Sequence, residues 1–156
     1  MKGHPEVIDL LNELLTNELT AINQYFIHAK MLKNWGFARL AKKVRDESID
    51  EMKHADQVIE RILFLEGIPN LQRLNKLRVG ENVKEQFESD VAFEYAAIKS
   101  LNDWIAKCRA LNDNATESML TKILVGEEEH TDWLETQLGL IKQLGETAYL
   151  AEQLEE

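Results

Sequence analysis

The sequence predicts an all-α protein: a four-helix bundle with one long crossover between helices two and three, and a short C-terminal fifth helix. Three observations carry this. Apolar residues recur at helical spacing through four stretches of about 28 residues each. Two prolines and seven glycines in 156 residues are too little punctuation for an all-β chain. Two of the three breaks between the long stretches are short, and the middle one is long. A chain of 156 residues and 18.0 kDa is expected to form a single domain, residues 1–156, with a substantial core.

Pro5 suits a first helical turn. From Val7 to Lys33 the apolar set Leu11, Leu14, Leu15, Ala21, Ile22, Tyr25, Ala29 and Leu32 marks helix one. Asn34-Trp35-Gly36 reads as a tight turn, and helix two runs from Phe37 to Leu65. Gly67-Ile68-Pro69 stops it, and residues 67–81 read as irregular, with Pro69, Asn70, Asn75 and Gly80. Helix three spans Asn82 to Leu111. After the turn Asn112-Asp113-Asn114, helix four spans Thr116 to Leu144 and Gly145 ends it. Ala148 to Leu154 forms helix five. Short turns make helices one and two antiparallel, and three and four likewise. The middle connection, extended, reaches about 50 Å at roughly 3.3 Å per residue. A helix of this length covers about 42 Å, so the crossover can run the length of the bundle and start helix three at the opposite end.

Composition narrows the function. Twenty-eight Asp and Glu against 18 Lys and Arg leave a formal charge of −10. Nucleic-acid binding needs a basic surface, whereas this balance suits cations. The one cysteine, Cys108, excludes an internal disulfide, CxxC zinc sites, iron–sulfur clusters and CxxCH haem attachment. A reducing, cytoplasmic compartment fits. The polar N-terminus carries no charged-then-apolar leader, and no run approaches 18 apolar residues, so no membrane span is expected.

Two histidines follow a glutamate by three positions, in Glu51-Met52-Lys53-His54 and Glu127-Glu128-Glu129-His130. Positions i and i+3 share a helix face, so each pair can hold one ion, although one such pair alone also reads as an exposed polar turn. The spacing adds weight. Glu51 follows Glu18 by 33 positions, and Glu127 follows Glu94 by 33. Each half is one helix hairpin, and the residues lie at similar distances either side of its turn. All six then stand at one height in the bundle. Their neighbours are apolar: Leu14, Ala21 and Ile22 around Glu18, Val44 and Val58 around Glu51, Val91 and Ile98 around Glu94, Ile123 and Leu124 before Glu127. Four carboxylates facing one core are prohibitively costly without compensating charge. Two divalent cations balance four carboxylates and two neutral imidazoles. The competing reading is four separate, solvated glutamates. Mixed oxygen and nitrogen donors suit iron or manganese, and zinc can also occupy such a site. Two helices giving a Glu and two giving Glu-x-x-His is the known ligand pattern of di-iron carboxylate bundles.

These residues carry a resemblance. The segments Asn17-Glu18-Leu19, Ala21-Ile22-Asn23-Gln24-Tyr25-Phe26, Glu47-Ser48-Ile49-Asp50-Glu51-Met52-Lys53-His54-Ala55-Asp56, Glu60-Arg61-Ile62-Leu63-Phe64-Leu65-Glu66-Gly67 and Glu127-Glu128-Glu129-His130 with Asp132-Trp133-Leu134-Glu135 resemble the bacterioferritin family over essentially the whole chain. The resemblance implies a ferritin-like bundle and a ferroxidase centre. Glu18, Glu51, His54, Glu94, Glu127 and His130 match its ligands, with Glu51 and Glu127 bridging, Glu18 and Glu94 terminal, and one histidine on each iron. It implies oxidation of Fe²⁺ by O₂ or H₂O₂ and ferric mineral kept in a hollow homo-oligomeric shell of 24 subunits, with a shell mixed with a related subunit as the alternative. Ordinary non-haem ferritins share the fold but lack the second Glu-x-x-His. An alternative with the same ligands is a small di-iron peroxidase of the rubrerythrin type without mineral storage, although the CxxC pairs of its usual rubredoxin domain are missing. A third reading is a haem-binding or structural bundle whose acidic residues are solvated.

Met52 matches the axial ligand of haem b, shared with the same residue of a symmetry-related subunit; the bland reading is a methionine filling an interface. It points about 100° away from Glu51. Ile49, Ala55 and Ile59, with Leu19, Asn23 and Phe26 of helix one, are expected to form a second apolar face there. Asp46, Glu47 and Asp50 cluster on helix two. Asp46 and Asp50 match a cavity iron site at which relatives often carry histidine at position 46; an ordinary acidic face is the alternative. Tyr25 and Trp133 either pack or move electrons, while Val58 stands where relatives often have tyrosine. Cys108 is expected to be buried and inert, and His4 and His28 have no partner at ligand spacing. Asn34, Glu66 and Asp132 match channel linings. A small ferredoxin, the family's electron donor for iron release, is expected to dock near Ile68, Leu77 and Glu81.

Overall fold

The computed structural model describes residues 1–155; Glu156, the end of the expected 1–156 unit, lies outside them. Five helices follow in order: α1 Pro5–Asn34, α2 Ala38–Phe64, α3 Val83–Ala110, α4 Asn114–Leu144 and α5 Glu146–Ala151. The boundaries follow cap chemistry. His4, without a ligand partner in the sequence, is the N-cap of α1, its Nδ1 accepting from the Glu6 amide at 3.1 Å. Asp113 caps α4 by accepting from the Thr116 amide at 3.0 Å, which starts that helix two residues before the expected Thr116. Gly145, at φ +82°, ends α4 and leads directly into α5, so the last helix begins at Glu146 and ends at Ala151 rather than spanning 148–154.

The short turns pair α1 with α2 and α3 with α4. The Ser48 hydroxyl donates to the Ile22 carbonyl at 2.9 Å and sets the α1–α2 register. Arg61 of α2 donates to Asp113 at 3.1 Å and to Thr116 at 3.0 Å, tying the first hairpin to the second at the end opposite the turn near Gly36.

The crossover is irregular, as its composition indicates, and it is stitched to α1 by a polar ladder. Asn12 accepts from the Asn70 amide at 2.8 Å, and Thr16 from the Arg73 guanidinium at 3.0 Å. Thr20 accepts from the Asn75 amide at 2.9 Å, and Gln24 from the Arg78 amide at 3.1 Å. His28 Nε2 accepts from the Gly80 amide at 3.0 Å. Four residues advance a helix by about 6 Å and slightly more than one full turn, so successive rungs stack along a strip that drifts slowly around α1, following the crossover. Because His28 Nε2 accepts, its Nδ1 carries the proton and faces Asp90 of α3, 3.0 Å from one carboxylate oxygen and 3.2 Å from the other. Gln24 also donates to Asp90 at 2.8 Å. His28 is therefore a fully buried joint between α1, the crossover and α3.

The core has two halves. One holds Leu11, Leu14, Leu15, Val58, Ile62, Leu101, Cys108, Leu120 and Ile123; the other holds Ala21, Tyr25, Leu32, Leu40, Val44, Phe87, Val91, Leu134 and Tyr149. On α1, α3 and α4 the break between halves falls where the sequence has Glu18, Glu94 and Glu127 with His130. Among the described residues no helix is long and apolar enough to cross a membrane.

Two glycines test this packing in opposite directions. A Cβ on Gly80 would lie 2.3 Å from the Gln86 backbone nitrogen, so Gly80→Ala should cost about 1–3 kcal/mol of stability. A Cβ on the exposed helical Gly139 meets nothing within 4 Å, so Gly139→Ala should add about 0.5–1 kcal/mol. Thermal denaturation of the two variants should move in opposite directions; a shift of the same sign in both would contradict the account of Gly80.

Candidate metal centre

Between the two apolar halves lies a layer of ionisable side chains. Glu18 comes from α1, Glu51 and His54 from α2, Glu94 from α3, Glu127 and His130 from α4. Five are buried: Glu94 completely, Glu127 to 2% exposure, Glu18 and Glu51 to 3%, and His130 to 4%. His54 is partly exposed. One donor atom from each of Glu18, Glu51, His54 and Glu127 falls within 4.8 Å of the others. Glu94, Glu127 and His130 form a second such group, and Glu127 belongs to both. His54 Nδ1 lies 3.2 Å from Glu127, 3.6 Å from Glu18 and 3.6 Å from Glu51. His130 Nδ1 lies 3.1 Å from Glu94.

Four buried atoms of this layer have no hydrogen-bond partner: Glu18 Oε2, His54 Nδ1, Glu94 Oε2 and Glu127 Oε1. His54 Nδ1 and Glu127 Oε1 are close, yet their angles do not make a hydrogen bond. Buried polar atoms are normally paired, so four orphaned atoms in one layer mark a group of side chains that could hold a metal ion. Oxygen and imidazole donors fit a divalent transition metal.

The electrostatics agree. Burial raises the carboxyls of Glu18, Glu51 and Glu94 above the ordinary range, those of Glu51 and Glu94 strongly, and facing carboxylates add to it. Burial and the charge of Glu51 push Glu127 up to about 7. Burial opposes the charged form of His54, but Glu127, Glu18 and Glu51 outweigh it and push that imidazole up to about 12. His130 is also raised, by Glu94 against the pull of burial. Without a metal, the layer retains protons where a cation's charge would otherwise sit.

The surroundings add residues whose position the sequence does not show. Glu47, grouped in the sequence with Asp46 and Asp50 on an acidic face, is buried instead. It lies 3.7 Å from His130 Nδ1 and 2.9 Å from the Lys43 ammonium. The signal was its place four residues before Glu51, on the same α2 stripe. Asp46 and Asp50 are exposed and sit beside Lys42 and Lys53, at 3.3 Å and 4.0 Å. Tyr25 donates to Glu94 and meets the His130 ring edge-on at 5.1 Å. Trp133 stacks on the other side of His130, with its indole 5.4 Å below Lys43. Val58 is in the core, and Cys108 is buried, its thiol pushed up to about 11 chiefly by that burial. A cavity of about 310 Å³ between α2 and α4, lined by Lys43, Glu47, Asp50, His54, Glu129 and His130, leads from the layer to the surface.

Met52 is half exposed, with Ile49 and Phe26 also open on the isolated chain. Ala55, expected on that outer face, is buried in the core, and Ile59 and Leu19 pack against the core. The outer apolar face is therefore narrower than the spacing implies. Ile68, Leu77, Glu81, Asn34, Glu66 and Asp132 are all exposed.

The proton-retaining layer sets a pH dependence. Glu127 ionises in the unfolded chain near the ordinary 4.5 but near 7 in the folded one. The folded state thus holds the extra proton, and its contribution to stability is present below 4.5 and lost as pH rises to about 7. His54 acts with the same sign at higher pH, its contribution being lost from 6.5 toward about 12. Metal-free protein should therefore lose thermal stability as pH rises from 5 to 8. Added Mn²⁺ or Zn²⁺ should raise the melting temperature more at pH 8 than at pH 5. A metal-induced shift independent of pH would contradict proton–metal competition.

A family model described as a ferritin-like domain matches residues 8–144. A bacterioferritin of Mycobacterium leprae is 54% identical over 152 residues, covering 97% of this chain and 96% of the relative. Bacterioferritin BfrA of Mycobacterium tuberculosis is 53% identical over the same length and coverage, and a bacterioferritin of Streptomyces coelicolor is 51% identical over 156 residues, covering all of this chain and 93% of the relative. With the crossover bundle and its buried layer of Glu and His side chains, these matches identify the chain as a member of the bacterioferritin branch of the ferritin-like family.

Proposed function

We propose that this protein stores iron and that its buried layer is a ferroxidase centre, with Fe²⁺ as substrate. The observation that carries the reading is the pair of donor groups sharing Glu127, with four buried donor atoms left unpartnered. Glu18 and His54 hold one ferrous ion, Glu94 and His130 the other, and Glu51 and Glu127 lie between them. Four carboxylate charges match two divalent cations, so loading replaces the retained protons and the layer becomes neutral.

Oxidation then takes one electron from each Fe²⁺. With O₂ as oxidant, two electrons and two protons give H₂O₂; with H₂O₂ they give two waters. The protein's part is to hold both ions within reach of one oxidant molecule in a site from which bulk water is largely excluded. The cavity between α2 and α4, with Glu47, Asp50 and Glu129, offers the exit for the product, and Asp46 and Asp50 a cavity iron site.

Haem b, held by Met52 from two subunits, belongs to the same proposal. The half-exposed Met52 among exposed Ile49 and Phe26 supports it, since a thioether open on the single chain is free to ligate iron between two copies. When bound, the haem supplies a one-electron relay. A 24-subunit shell in the cytoplasm, and a small ferredoxin docking near Ile68, Leu77 and Glu81 to reduce the stored mineral, complete the reading.

Stopped-flow absorbance tests the centre. Two Fe²⁺ per subunit added to metal-free protein with oxygen should give a fast ferric phase that saturates at that ratio. Glu18→Ala and Glu127→Ala should slow it by at least about 100-fold, as expected for deleted ligands. A fast phase unchanged by both substitutions would place oxidation elsewhere. For the haem, Met52→Leu should abolish the Soret band of haem-reconstituted protein while leaving the fast ferric phase intact; a retained band would remove Met52 from that role.

A further inference from the structure

A second cavity, of about 340 Å³, lies between α1, α3 and the crossover, and its chemistry is the reverse of the first. Asn17, Asn75, Lys76, Arg78, Ser89 and Ser100 supply its polar lining together with buried Gln24, and small alanines of α3 leave it open. No carboxylate lines it, in a chain with 28 acidic residues. The cavity between α2 and α4, by contrast, has four acidic side chains: Glu47, Asp50, Glu51 and Glu129.

The two cations are unpaired. Among the described residues the Lys76 and Arg78 side chains take part in no ion pair and no hydrogen bond, and the Ser89 and Ser100 hydroxyls donate to nothing. The backbone carrying the cations is fastened on both sides of Lys76. The Asn75 amide is held by Thr20 at 2.9 Å and the Arg78 amide by Gln24 at 3.1 Å. The Asn75 side chain is further held by Asn17 at 2.8 Å. The ladder thus anchors this stretch through its main chain and leaves two exposed cationic side chains at the edge of the cavity; the side-chain amides of Gln24 and Asn75 are already engaged, so its free donors include those cations and the Ser89 and Ser100 hydroxyls. Lys supplies a point charge and Arg a planar fork of donors, a combination that suits a multidentate oxyanion.

We infer that this cavity is a binding site for a small tetrahedral oxyanion, with inorganic phosphate as the probe, held by Lys76 and Arg78 and completed by the Ser89 and Ser100 hydroxyls. The site does not depend on iron. Phe93 in its wall packs edge-on against Tyr25 at 6.3 Å and precedes Glu94 in sequence, so one layer of side chains separates the site from the metal centre.

The test is calorimetric titration of the metal-free, assembled protein with phosphate in about 150 mM NaCl, where diffuse attraction is largely screened. One saturable site per subunit is expected. The double variant Lys76→Gln, Arg78→Gln should weaken it at least about 10-fold, and Ser89→Ala with Ser100→Ala should weaken it measurably. Lys122→Gln, which removes an exposed cation on α4, should leave it unchanged. The backbone bonds of the ladder do not use the Lys76 and Arg78 side chains, so the double variant should keep the parent melting temperature. Absence of saturable binding in the parent below about 10 mM phosphate would overturn the inference. So would a titration unaltered in the double variant, or one weakened equally by Lys122→Gln.

Discussion

Four carboxylates buried in one layer are the constraint around which this bundle is arranged. An isolated ionised carboxylate is very costly to remove from water, and facing carboxylates add mutual repulsion. The fold accommodates the layer in two ways. It places the layer between two separate apolar halves, each with its own set of leucines, valines and isoleucines, so hydrophobic burial on both sides offsets the polar middle. It also interleaves two imidazoles among the carboxylates, His54 3.2 Å from Glu127 and His130 3.1 Å from Glu94. The same unpartnered atoms that make the metal-free layer unfavourable are what a pair of divalent cations would satisfy. Stability and metal affinity are thus linked through one set of side chains.

Holding that layer level requires four helices in one register, and the crossover is where register could most easily slip. The hairpin turns set α1 against α2 and α3 against α4, but nothing so local relates the hairpins to each other. The ladder from Asn12 to His28 performs that task along the crossover, and Gln24 and His28 extend it to Asp90 on α3. Asp90 stands four residues before Glu94, one helical turn away. The joint that locks α1 to α3 therefore also sets the height of a candidate ligand. Arg61 with Asp113 and Thr116 does the corresponding work at the other end of the bundle.

The two sides of the centre differ in charge character. The α2 and α4 side carries Glu47, Asp50, Glu51 and Glu129 around a cavity that reaches the layer. The α1, α3 and crossover side carries unpaired cations and hydroxyls. A net charge of −10 conceals this division, because charge summed over a chain says nothing about which helix faces meet.

Much of this is legible in the order of residues. Helical periodicity located the four long helices, because a bundle buries one stripe of each helix and the stripe is written in the order of residues. The repeated Glu with Glu-x-x-His brought six residues to one height, because hairpin turns map equal sequence distances onto equal heights. Pairings that depend on side-chain direction across the bundle were not legible. Spacing puts Ala55 on the outer face, and it lies in the core; Glu47 groups in sequence with exposed acids, and it lies beside His130; His28 has no partner at ligand spacing, and it joins three elements through Gly80 and Asp90. Each contact joins residues dozens of positions apart or depends on the exact rotation of a helix, which periodicity resolves only to a broad face. Residue order alone determined the four long helices, their sequence and the level of the buried carboxylates, while cap chemistry moved the bounds of α4 and α5. Tertiary structure decided which buried polar atoms found partners and which were left facing an open centre, because hydrogen bonding is a matter of ångströms and angles between distant parts of the chain.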